Sequence, residues 1–212
     1  NWKPALWREY GRQLGRMNRL ALNYKVSKPE WARHDFDTPE NLDVVRWIPE
    51  DQPIVVERYR ELRKHLDTLP RDISVYGMIH QDAHGGNMFV DEDGKITFFD
   101  FDDCCQGWYA YDLAMVLFYA IPFHGDTITL ATEFLTEFLV GYREEFEIDE
   151  YWLSQIPHFL KLREIDLYAV IYRSFDVNNL DDDPWVKNFM DGRREKIEAG
   201  VPFLDMDFTQ FA

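Results

Sequence analysis

His80-Gln81-Asp82-Ala83-His84-Gly85-Gly86-Asn87 and, a little further on, Asp100-Phe101-Asp102-Asp103 decide how this chain is read. An acid follows His80 by two residues, an amide follows that acid by five, and a second acid lies eighteen beyond the first. The flanking segments are β-rich. Val75 to Ile79 delivers the chain to His80. Met88–Val90 and Ile96–Phe99 flank Asp91-Glu92-Asp93-Gly94, an acidic turn ending in glycine, and together they read as a hairpin. The polar groups are therefore carried by loops at strand ends, where side chains can reach a ligand.

Those residue types at that spacing suit phosphoryl transfer. The reaction needs one carboxylate beside an acceptor hydroxyl, and an amide plus a second carboxylate on Mg2+. The pattern H-x-D-x-x-x-x-N followed by D-F-x is a kinase signature. A lone H-x-D or D-x-D triplet carries little weight, whereas four residues at fixed offsets around a hairpin carry much. On this reading Asp82 is the base, Asn87 and Asp100 hold the metal, and His80 packs and hydrogen-bonds to support the loop. Zinc is the rival metal, since strand alternation would put His80, Asp82 and His84 on one face. Against it, glycines follow His84 and no third histidine is near. Gly-x-Ser-x-Gly is absent.

Helices surround this core. Leu6, Tyr10, Leu14, Met17, Leu20 or Ala21, and Tyr24 recur at helical spacing and predict a helix over 4–24. Gly11 and Gly15 either weaken it or admit a close neighbour. Thr38 and Pro39 read as the cap and first position of a short helix. A second long helix is expected from Pro53 to Leu69, ended by Pro70. After Asp103 the pattern is helical to the end: Ala110–Ala120, Thr127–Glu145 capped by Asp126, Tyr151–Phe175 bent or split at Pro157, and Pro184–Glu198 capped by Asp183 and stopped by Gly200. The expected fold is α+β and mainly α, a kinase-like C-terminal lobe with one small hairpin carrying the catalytic and metal loops. No linker or repeat divides the 212 residues, so they form a single domain.

A net charge of −16 excludes the basic footprint of a nucleic-acid binder. An acidic surface suits either a cationic substrate or simple solubility. No run of 18 apolar residues provides a membrane span, and the first residues lack a signal-peptide pattern. Cys104 and Cys105 are adjacent, which suits neither an ordinary disulfide nor spaced zinc ligands. Reduced, partly buried thiols in a cytoplasmic protein are expected.

At HQDAHGGNMFV and ITFFDFDDCCQGWYAYDLA the chain resembles the aminoglycoside phosphotransferase and choline kinase-like family, near its bacterial homoserine kinase and stress-response kinase branch. YGRQLGRMNRLALNY is similar to the helix that starts the C-lobe in that family. The resemblance implies Asp82 as catalytic base, Asn87 and Asp100 as Mg2+ ligands, and ATP as co-substrate. It implies Asp112 as a buried acid bracing the catalytic loop, a role compatible with a first-turn acid on the following helix. Asp102 and His84 are candidates to reach metal or substrate, with loop support an equal reading for Asp102. Asp103 stays open.

The resemblance also implies a pocket for a hydroxyl acceptor built from the helices over 127–146 and 151–175. Glu164, Asp166, Tyr168, Arg173 and Asp176 are its candidate residues, and Arg163 shares a helix face with some of them. Paired surface charges over an aromatic contact explain the same residues as well. Acids there would suit an amine or aminoglycoside, and Arg173 a carboxylate such as an amino acid's. No nucleotide-covering strand loop or phosphate lysine precedes residue 76, and the chain opens without methionine. It is therefore expected to be a fragment lacking its N-lobe, inactive alone. A non-catalytic pseudokinase or interaction module of the same fold is the alternative. Intact Asp82, Asn87 and Asp100 speak against it.

Overall fold

A computed structural model describes residues 4–38 and 44–212. Eight helices and four short strands are built among them. The first helix, α1 (Pro4–Ala21), packs along α5 (Thr127–Arg143). Three glycines permit that approach. A Cβ on Gly11 would sit 1.8 Å from the Phe138 carbonyl oxygen, and one on Gly141 1.8 Å from that of Arg8. The backbones touch where side chains would normally separate them, so Gly11 serves a close neighbour.

The hairpin forms as expected. Strands β2 (Met88–Val90) and β3 (Ile96–Phe98) pair antiparallel, and Gly94 closes the turn at φ 79. A second pair was not foreseen. β1 (Tyr76–Ile79) pairs antiparallel with β4 (Cys105–Trp108), in a stretch where helix was expected to begin. Cys-Gln-Gly-Trp shows no alternation, and only its Trp favours a strand. The strand exists because its partner lies some thirty residues away and because Cys105 and Trp108 are buried in the core. The segment around residues 34–36 joins it: Gln106 donates its N–H to the His34 carbonyl and accepts one from Phe36, both at 2.8 Å.

Other boundaries move. The helix expected over Pro184–Glu198 is two, α7 (Pro184–Met190) and α8 (Arg193–Glu198), because Gly192 adopts φ 62 between them. Conversely, α6 (Glu150–Ser174) runs unbroken through Pro157. The second long helix, α3, ends at Leu66. The expected Thr38–Pro39 helix start falls across residues outside the described ones, and the short helix beyond is α2 (Val44–Trp47). Asp126 and Asp183 cap as expected, accepting N–H groups from Thr129 and from Trp185 and Val186. Gly200 follows α8 at φ 69.

The core is centred on α4 (Tyr109–Ala120), buried continuously from Tyr109 to Phe118 and packed on α5 and α6. Its N-terminus points its first acid, Asp112, at the end of β1. Cys104 and Cys105 are free and buried. No helix among the described residues is long and apolar enough to cross a membrane.

Because the α1–α5 seam leaves no room for a methyl group, Gly11→Ala should lower unfolding free energy by about 1–3 kcal/mol through overpacking. Chemical denaturation checks this; an unchanged midpoint would mean that the helices do not meet there.

Candidate active site

The candidate catalytic loop is held from underneath. Asp112 has no exposed surface, and its carboxylate accepts the backbone N–H of His80 at 3.2 Å and of Gln81 at 2.9 Å. Burial pushes this carboxyl up; His80, the two N–H donors and the nearby Asn18 amide work against that. Gln81 adopts φ 65, uncommon for a residue with a Cβ, and its side-chain oxygen accepts from the Cys105 thiol. The His80 ring bridges two loops. Its Nδ1 accepts the Asp82 N–H at 3.4 Å, and its Nε2 donates to the Phe99 carbonyl at 3.2 Å. Its face lies 4.4 Å from the Phe101 ring. Tyr10 of α1 donates its hydroxyl to the Ala83 carbonyl.

These supports present Asp82 asymmetrically. Oδ2 accepts from Asn87 Nδ2 at 2.8 Å and lies 3.4 Å from His84 Nε2. Oδ1 lies 3.9 Å from Arg163 Nη2, beyond hydrogen-bond range. One oxygen is fixed and the other is available. Burial alone would raise this carboxyl, but His84, Arg163 and Asn87 outweigh it and hold it below the usual carboxylate range.

Asn87 is buried, and its Nδ2 also bonds the Asp82 carbonyl at 3.0 Å. The planar amide thus leaves Oδ1 as a hard oxygen donor. The Asn87 carbonyl accepts the Phe99 N–H at 3.1 Å, which brings Asp100 alongside. Asp100 adopts φ 63 and is exposed, and among the described residues its carboxylate has no hydrogen-bond or ion-pair partner. Gln81 and Asp100 are the two non-glycine residues with positive φ among those described. Strain of this kind concentrates where a side chain must be aimed. One amide oxygen and one unpartnered carboxylate fit Mg2+, which is held by few protein oxygens and completes its shell from phosphates and water. No group of three or more His, Cys, Asp or Glu converges as a metal site among the described residues. His80, with both ring nitrogens on backbone groups, is not placed to join a zinc site.

The Phosphotransferase enzyme family model, APH, matches residues 3–152. The chain belongs to this family. It is 37% identical over 213 residues to amicoumacin kinase of Bacillus subtilis (strain 168), covering 99% of this chain and 62% of that protein. A solved amicoumacin kinase, hAmiN, in complex with AMP-PNP, Ca2+ and Ami superposes with a TM-score of 0.91 at 34% identity, over 100% of this chain and 64% of that one. The microcompartment-associated aminopropanol kinase shares the fold, with a TM-score of 0.68 at 20% identity over 93% of this chain and 61% of that one. The chain thus spans less than two thirds of the length of these relatives.

On this phosphotransferase scaffold the helix α6 sorts the remaining candidates. Asp166 faces the loop side, accepting from Arg163 Nη1 at 2.7 Å. Glu164 turns the other way, buried against Arg193 at 2.6 Å and Lys161, where it ties α6 to α8. Tyr168 donates to the Gln52 side chain at 2.8 Å, at the start of α3. Arg173 is exposed beside Ser174, and Asp176 accepts the Asn178 N–H in a turn. Neither Glu164 nor Tyr168 is brought to Asp82. The exposed Asp102 is held through its backbone, since Arg33 donates to the carbonyls of Phe101 and Asp102. Asp103 is exposed in the same turn.

Two contributors were not legible as site residues. Arg163 brings a guanidinium within 3.9 Å of Asp82, and it donates to Tyr119 of α4 as well as to Asp166. Burial opposes its charge, and Tyr119 and Asp166 more than restore it. Tyr119 also lies 4.8 Å from the His84 ring. It lies within the helix expected over Ala110–Ala120, and only the packing of α4 on α6 brings it to Arg163.

Removing the Asp112 carboxylate leaves two buried N–H groups unpaired, each worth about 1–3 kcal/mol. Asp112→Ala should therefore lower unfolding free energy by about 2–5 kcal/mol, with Asp112→Asn intermediate. Equilibrium denaturation of the three proteins checks the order.

Proposed function

We propose that this chain carries the base, the metal ligands and the acceptor side of an ATP- and Mg2+-dependent phosphotransferase. The reaction moves the γ-phosphoryl group of ATP to a hydroxyl of a small molecule. The observation that carries this reading is the split environment of Asp82. Its Oδ2 is pinned by Asn87 and His84, and its Oδ1 is left for an acceptor hydroxyl.

In the reaction Asp82 Oδ1 accepts a hydrogen bond from the acceptor hydroxyl, orients its lone pair toward the phosphorus and takes the proton as the bond forms. His84 and Arg163 keep the carboxylate ionised at neutral pH, so it is ready to accept. Asn87 Oδ1 and the Asp100 carboxylate would hold Mg2+, which when bound neutralises charge on the phosphate oxygens. Catalysis here is chiefly positioning, which accounts for the backbone supports beneath His80, Gln81 and Ala83.

A small-molecule acceptor is supported by the amicoumacin kinase relatives. An amino alcohol, amino acid or aminoglycoside would each present a suitable hydroxyl. The nucleotide-covering strands and phosphate lysine of such enzymes are not found among the described residues. We assign this chain the kinase-like C-terminal lobe and the activity to the whole protein that carries it. Free, buried Cys104 and Cys105 support a reducing compartment such as the cytoplasm.

In that whole protein, Asp82→Asn should lower kcat by about 10²–10⁴-fold with the fold intact. Asp100→Ala should weaken binding of the magnesium–nucleotide complex at least tenfold by calorimetry. Wild-type turnover in the first variant would remove the base, and wild-type affinity in the second would remove Asp100 from the metal.

A further inference from the structure

Asn18 of α1 is polar and has no exposed surface. It lies on the same helix face as Tyr10, two i,i+4 steps away, and Tyr10 already holds the Ala83 carbonyl of the loop. Its side-chain Oδ1 accepts from the Tyr142 hydroxyl of α5 at 2.8 Å. Gly15 permits that meeting. A Cβ there would sit 2.6 Å from the Tyr142 carbonyl oxygen, so the two helices touch within one turn of Asn18. Tyr142 is itself fully buried, and burial together with the charge of Asp112 pushes its hydroxyl pKa up. The hydroxyl therefore keeps its proton and donates it.

That bond decides which way the amide points. With Oδ1 on Tyr142, the Nδ2 donor is left for Asp112, whose ionised form it favours. The reverse orientation would set an amide oxygen against a carboxylate. Yet Nδ2 is buried without a hydrogen bond in the structure. A buried donor in that state is costly and calls for an acceptor. Asp112 has the capacity to be that acceptor. A carboxylate offers about four lone-pair sites, and the backbone N–H groups of His80 and Gln81 occupy two of those on Asp112.

We propose that Asn18, aimed by Tyr142, is a positioning residue for phosphoryl transfer: its Nδ2 closes on Asp112 as a third donor and fixes the carboxylate that holds the His80 and Gln81 amides. This inference rests on Asp82 as the base, since the loop it steadies is the one that aims Asp82. Asn18 touches neither acceptor nor nucleotide. It acts through Asp112 and the backbone, so its loss disturbs the aim of the base at bond formation and leaves substrate binding alone. A role in packing alone would lower stability without moving kcat or the loop amides.

The test uses the whole protein carrying this chain, with Asn18→Leu to remove the amide at similar volume and Tyr142→Phe to remove only the hydroxyl that aims it. Amide NMR resonances of His80 and Gln81 read the loop directly. Coupled ADP release reads turnover, with ATP and ethanolamine, homoserine or kanamycin as acceptor. Both variants should shift the two resonances. Asn18→Leu should lower kcat about tenfold with the KM values for ATP and acceptor unchanged. Tyr142→Phe should lower kcat less, and the double variant should match Asn18→Leu, because the two residues act in series. Where Asn18→Leu does not fold, Tyr142→Phe decides alone, by the same resonances and the same split of kcat from KM. Resonances that stay in place, or a wild-type kcat in a folded variant, would overturn the positioning role. The two readings fail separately. Shifted resonances in a protein whose wild type releases no ADP with any of the three acceptors would count against phosphoryl transfer and leave the link from Tyr142 to the loop standing. ADP release with unmoved resonances would remove the link alone.

Discussion

The Asp112 carboxylate, buried at the start of α4 and bonded to two successive backbone N–H groups, is the constraint on which the rest of the site depends. Burying a carboxylate is costly, and donors that satisfy it reduce that cost. Here the donors are the N–H groups of His80 and Gln81, so the fold's most deeply placed acid and its catalytic loop stabilise each other. The same contact holds Gln81 at a positive φ, and the residue that follows is Asp82. The aim of the candidate base is thus set by a helix in the middle of the core, through backbone rather than side chains.

From that fixed point the site is assembled by short links. The His80 ring connects the catalytic loop to the segment that ends in Asp100. Asn87 connects them again, its side chain on Asp82 and its carbonyl on Phe99. Tyr10 brings in α1, whose position depends on its glycine contact with α5. Arg163, Tyr119 and Asp166 then form a partly buried polar wall facing Asp82. The acids of this strongly acidic chain are not equivalent. Asp82 is compensated by neighbours, Asp112 by backbone and Asp166 by Arg163, while Asp100 stands without a partner among the described residues.

Much of this was legible because the signals are local. The hairpin follows from an acidic, glycine-ended turn between two apolar runs, and the caps at Asp126 and Asp183 follow from side chains that reach their own helix N–H groups. What escaped is non-local. Strand β4 has little propensity of its own and exists by pairing with β1. The break between α7 and α8 depends on whether Gly192 takes a positive φ, which an otherwise helical stretch does not reveal. On α6 some residues three to five apart were expected to share a face, but which face meets Asp82 is fixed by α4. Arg163 and Asp166 therefore face the candidate base, and Glu164 and Tyr168 serve helix packing.

The candidate catalytic loop is locked to the core through the His80 and Gln81 amides while its tip stays open. Native-state hydrogen exchange reads those groups individually. The account predicts that the His80 and Gln81 amides exchange only with global unfolding, among the slowest in the chain, while the exposed Gly85 amide exchanges through local motion many orders of magnitude faster. His80 and Gln81 amides exchanging at the rate of Gly85 would contradict it.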